Sequence, residues 1–232
     1  MQCTVIRFDI VQELAFARPV FGFIEHASQV LKIFYETIAP RFPIATEHVA
    51  VAPSNVLSEV QIRIGLFNNL AQLELRSERM TLRFPNIVQA DVALVKDASL
   101  LAYDALKKAQ PELVCATSKF NLFFWLRVEG GVDGVKFLSK NRATPSEPIQ
   151  AQTFGATTAS HYVKVSLQNE ADKWDMSVNT EPSIVPGTDL FVVLTMSFHP
   201  GTPYDELHKQ IEFVENIIPK LWPSLGLELA VP

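Results

Sequence analysis

Cysteine is almost absent from this chain of 232 residues, with only Cys3 and Cys115 present. Neither has a CxxC partner or a neighbouring His–Cys cluster. That argues against a disulfide scaffold or a zinc site and points to a reducing compartment. Charge is also sparse, at 19% of residues against 48% hydrophobic, a globular composition that argues against disorder. The formal charge of −5 offers no general attraction to nucleic acid or to anionic membranes. No apolar run approaches the ~20 residues of a membrane-spanning helix. The N-terminal MQCTVIRFDIVQEL alternates, unlike a signal peptide with its charged region and apolar stretch. The expectation is a soluble, cytoplasmic protein that contacts no membrane and has no nucleic-acid partner.

Catalytic signatures are missing too. There is no GxSxG, SxxK, papain-like cysteine signature or DxD cluster. Distant residues can still converge on a site, but the balance favours a protein that is not an enzyme and uses no cofactor. The segment EGGVDGV, with Gly130, Gly131 and Gly134, has the outline of a phosphate-binding turn. It lacks a following GK[ST] and the third glycine of a dinucleotide fingerprint, so it reads as a plain chain reversal with Asp133 near a helix start. The histidines are scattered. Glu25 and His26 are adjacent on a helix, so their side chains diverge. His208 lies between Asp205 and Glu212, a spacing that a mixed-charge surface helix also produces. His48, His161 and His199 have no legible partners, and no metal site is expected.

What the chain does have is clear hydrophobic period. Ile6, Phe8 and Ile10 alternate with polar residues, as in a strand. Ile24, Ala27, Leu31, Phe34 and Ile38 form one helical stripe that stops near Pro40. Val60 to Leu66 returns to period two. Asn68-Asn69 suits a tight turn into AQLELRS, and RMTLRF follows as a third strand. Leu94, Ala98, Leu101 and Ala105 mark a second helix closed by Pro111.

The order then restarts, with KFNLFFWLRV as a strand, VDGVKFLSK as a short helix, and HYVKVSL, KWDMSV and LFVVLTMSF as strands. A last helix carries Leu207, Ile211, Val214, Ile218 and Leu221. The fold class is therefore α+β, as two similar β-α-β-β-β-α halves, residues 1–112 and 113–232. Each half would be an antiparallel sheet with helices packed on one face, and the two would sit as one body. MTLRFPN and LTMSFHP hold matching places before their helices and suggest an internal duplication. In element order this resembles duplicated, saddle-shaped α+β proteins such as the TATA-binding protein. No shared motif accompanies the resemblance, and the acidic pI argues against DNA. Residues 141–160 read as one long irregular surface segment.

Two surfaces stand out. Gln61, Arg63, Glu74, Arg76, Thr81 and Arg83 share the polar side of the first-half strands. Lys164, Ser166, Asp175, Ser177, Thr195 and Ser197 do so in the second. Gln61, Arg63, Arg76 and Arg83 are the candidate contacts for a protein partner, for self-association or for an anionic group. Exposed in that role, Arg63 and Arg76 could both be reversed at a cost of no more than about one kcal/mol. Phe123 and Trp125 lie on a strand apolar on both sides, which points to burial where the halves meet. A pocket there for a small apolar molecule is the alternative reading.

Overall fold

The structure, a computed structural model, describes residues 1–56, 59–88, 91–130 and 163–229. Its first part runs β1 (Gln2–Phe16), α1 (Gly22–Glu25), α2 (Ala27–Ile38), a 3-10 turn (Thr46–His48), β2 (Val49–Ala52), β3 (Gln61–Leu66), β4 (Ala71–Leu75), β5 (Arg79–Phe84) and α3 (Val92–Ala109). Then come β6 (Cys115–Val128), β7 (Val163–Asn169), β8 (Trp174–Pro182), β9 (Leu190–Phe198), α4 (Leu207–Ser224) and the two-residue β10 (Glu228–Leu229). This is a sheet-dominated α+β fold. Among the described residues no helix is long and apolar enough to cross a membrane.

The expected separate sheets are in fact one. The strand order is β2-β3-β4-β5-β1-β6-β9-β8-β7, antiparallel throughout, with β10 added parallel to β1. The join is the long β1–β6 ladder, which runs from Cys3 opposite Val128 to Phe16 opposite Cys115. Two strands of 15 and 14 residues supply enough backbone hydrogen bonds to make the junction continuous rather than a packed interface. Near its start the β1–β6 register skips Ile6, a bulge that turns the strand.

Strand alternation sorts the core. Phe8, Ile10, Leu14 and Phe16 of β1 share a face with Phe120, Leu122, Phe124 and Leu126 of β6. Two clusters of buried side chains lie on that face. One packs β3, β4 and β5 against α1, α2 and α3, and the other packs β6 and β9 against α4. Phe8, Ile10 and Tyr103 touch both.

Several boundaries differ from the sequence expectation for identifiable reasons. The first helix is broken at His26 (φ −116°, ψ 36°) into α1 and α2. It does stop before Pro40, which has no N–H to donate to the carbonyl four residues back. The last helix runs through Pro219 and Pro223 instead of ending at one, because Leu221 and Trp222 beyond Pro219 are buried and hold the turn. The β3–β4 turn uses Asn68 and Asn69 at φ 55° and 66°, as their tolerance of left-handed backbone suggests. Gly65 beside it leaves room for the Asn69 side chain, which a Cβ there would strike. Of the EGGVDGV segment, Gly130 is described and turns at φ 88°. The helix expected after it, the 141–160 segment and His161 lie outside the described residues.

Candidate functional site

A cavity of about 640 Å³ lies between the β1–β6 seam and the helices α3 and α4. Its floor is Phe8, Ile10 and Gln12 of β1 with Phe120, Leu122 and Phe124 of β6. Its roof is Val95 and Ser99 of α3 with Val214, Ile218 and Trp222 of α4. The space follows from side-chain size. The buried side of α3 carries Val95, Ala98, Ser99 and Ala102, too short to fill the groove between two helices over a twisted sheet. The floor is pinned by aromatics. Phe124 stacks on Phe8 (4.6 Å between centroids, 6° between planes) and meets the edge of Trp222 at 4.8 Å and 87°. Ile6, Val88 and Leu229 line one end and are 42%, 58% and 40% exposed, an apolar rim open to solvent.

Polar groups in this apolar chamber are few. Gln12 is 1% exposed, and both atoms of its amide lack a hydrogen-bond partner among the described residues. The same is true of Trp222 Nε1. A buried amide left unpaired costs roughly 1–3 kcal/mol, so a partner for the Gln12 amide would contribute on that scale. The charged groups at the walls are already matched. Lys96 Nζ of α3 sits 3.3 Å from Glu215 Oε2 of α4, tying the two helices together. Arg7 donates to both carboxylate oxygens of Asp9, at 2.9 and 2.6 Å. The Asp9 hydrogen bond pushes the Arg7 pKa up, and the guanidinium lies over Trp125 at 4.5 Å on the other side of the sheet.

The apolar pocket expected from the sequence at Phe123 and Trp125 falls on the face of β6 opposite this cavity. Phe123 and Trp125 do not line the cavity, and β6 is not buried on both faces. Its residues alternate between buried and half-exposed, and Phe123 and Trp125 take the half-exposed side. There Phe191 stacks with Phe123 at 6.3 Å and packs on Trp125 at 4.8 Å. The neighbouring residues Phe120, Leu122 and Phe124 face the chamber. One signal could have located it: Gln12 interrupts the apolar parity Phe8, Ile10, Leu14, Phe16.

The polar sheet face is also less open than expected. Gln61 is 7% and Glu74 8% exposed. Arg76 is clamped between them, its Nε 2.6 Å from Glu74 Oε1 and its Nη2 2.9 Å from Gln61 Oε1. Thr81 is buried, whereas Arg63 and Arg83 are exposed and have no side-chain partner among the described residues. Arg76 is therefore not free in the way that the expected cost of about one kcal/mol for reversing it with Arg63 assumes. Arg76→Glu would set two carboxylates together and strip Gln61 of its donor, at a cost of about 2–4 kcal/mol. Arg83→Glu should stay within about 0.5 kcal/mol. Urea titration of the two single variants checks this contrast.

Elsewhere, His199 Nε2 lies 2.7 Å from Asp175 Oδ2, a pairing across β8 and β9 that the sequence spacing concealed. His208 Nδ1 contacts Glu206 at 3.2 Å on the exposed side of α4, and not Asp205 or Glu212. No group of three or more potential metal ligands gathers among the described residues. No protein-family model matches the chain, and no curated protein matches it. Among solved structures, Methanococcus jannaschii TBP is similar over 95% of this chain and 98% of that chain, at 9% identity and a TM-score of 0.29. At that score the likeness assigns nothing.

Proposed function

We propose that the protein binds a small, largely apolar molecule in the chamber under α3 and α4. The observation that carries this reading is the unpaired Gln12 amide, set in a chamber of ligand size with an apolar rim. Pockets that hold small molecules run from about 300 to 1,000 Å³, mostly apolar with a few placed polar groups. At the ~30 Å³ that liquid water gives each molecule, the space suits about twenty non-hydrogen atoms. A ligand that hydrogen-bonds Gln12 and packs against the apolar lining stabilises the folded chain by mass action. Thermal unfolding with a panel of uncharged long-chain compounds tests this. A concentration-dependent rise in Tm is expected, and a flat response across the panel overturns the reading.

The seam also supports an internal duplication. With MTLRF laid over LTMSF, Leu82 matches Met196 and Phe84 matches Phe198. Leu82 pairs with Gln12 and Met196 with Phe120, so Gln12 and Phe120 become equivalent. They are also each other's partner across β1 and β6, as a pseudo-twofold axis between them would require. Gln12 thus stands where the other half has phenylalanine, which favours a role in binding over one in folding. Gln12→Phe should then fold and be at least as stable as the natural chain. Unfolding of that variant would remove this support.

A second reading rests on Arg63 and Arg83, which leave two guanidinium groups on rigid strands for an acidic protein partner. An array of acidic peptides, tested against the chain and Arg63→Gln with Arg83→Gln, decides it. Equal retention on both would set the face aside. Cytoplasmic residence is supported by Cys3 and Cys115, free thiols whose pKa values burial pushes up. Fractionation of cells expressing a tagged chain tests it, and recovery outside the cytoplasm overturns it.

A further inference from the structure

We infer that the polar end of the bound molecule is uncharged and carries both a donor and an acceptor, as a long-chain alcohol or primary amide does. This rests on the chamber being a ligand site. Both the oxygen and the nitrogen of the Gln12 amide are unpaired, so one complementary group must accept from one and donate to the other. A hydroxyl or carboxamide does both, and Trp222 Nε1 asks for an acceptor in the same chamber. An ionised carboxylate offers acceptors alone and would leave the Gln12 oxygen unmatched.

Charge decides against the carboxylate more strongly. Moving an ionised group into an apolar space is unfavourable unless a cation meets it there. Two cationic residues among those described contribute to the walls, and each already faces a carboxylate. Lys96 is held by Glu215, so a ligand carboxylate replacing Glu215 would leave two anions side by side. Arg7 is held by Asp9 and lies over Trp125, on the opposite side of the sheet. The chamber thus discriminates by leaving buried polar and charged groups unmatched for the wrong ligand, the stronger form of selection.

The test is displacement of a neutral, polarity-sensitive naphthalene dye from the full chain by dodecanol, dodecanamide, dodecanoate and dodecane at about pH 8, where the acid is ionised. Dodecanol and dodecanamide should bind at least tenfold more tightly than dodecanoate. Gln12→Leu should weaken the alcohol and the amide about tenfold and leave dodecane unchanged. Dodecanoate binding as tightly as dodecanol overturns the inference about ligand class while the chamber remains a binding site. Loss of dodecane together with the alcohol in Gln12→Leu also overturns it, since the side chain would then be shaping the chamber. Failure of all four to displace the dye, or of the dye to bind at all, overturns the binding site itself.

Discussion

Placing one phenylalanine on each roofing helix, Ser99→Phe with Val214→Phe, should weaken ligand uptake at least a hundredfold while the chain stays folded. Both residues line the chamber, Ser99 from α3 and Val214 from α4, at 4% and 5% exposure. Adding bulk to a filled core forces side chains off their rotamers and costs about 1–3 kcal/mol. Here the rings enter existing space, so the cost should stay at the lower end, and burial of their apolar area offsets part of it. For the ligand there is no such relief. A hundredfold loss is about 2.8 kcal/mol of binding free energy, well within what steric exclusion supplies. Circular dichroism and urea unfolding establish that the variant is folded, and displacement of the neutral dye reads the binding. A folded variant that still binds the dye as tightly as the natural chain would place the ligand elsewhere.

The elements of this fold were legible because their signals are local. Alternation in RMTLRF and LFVVLTMSF, the Asn68-Asn69 turn and the stop before Pro40 each depend on a few neighbouring residues. Which elements pair was less accessible. Nothing in KFNLFFWLRV says that it lies beside Gln2–Phe16, because the backbone hydrogen bonds that join them are blind to side-chain identity. The same limit hid the chamber. Ser99, Val214 and Gln12 come from three elements far apart in sequence, and an unfilled volume leaves no mark on any one of them. The surroundings of Arg76, just past the end of β4, are hidden in the same way, because its closure by Gln61 and Glu74 depends on the β3–β4 register.

Phe124→Ala should be the most damaging single truncation in the protein, and Phe123→Ala, one residue away, should be mild. Phe124 is 2% exposed, and its ring lies between Phe8 and Trp222. Truncating a buried phenylalanine costs about 3–5 kcal/mol, and the cost rises where the surroundings cannot close in. Phe124 sits on a central strand fixed by β1 on one side and β9 on the other, beside a chamber that is already open. Collapse is therefore blocked, two aromatic contacts are lost, and the effect should fall toward the upper end of that range. Phe123 points the other way and is half-exposed, with one stacked neighbour in Phe191. Its truncation removes a partial contact and leaves no void, so about 1 kcal/mol is expected. Urea unfolding at a shared m-value measures both, and a separation of at least 2 kcal/mol is the anticipated outcome. Equal losses would mean that the face carrying Phe123 and Trp125 is as buried as the one carrying Phe124, which would undo the assignment of the chamber to the helix-covered side of the sheet.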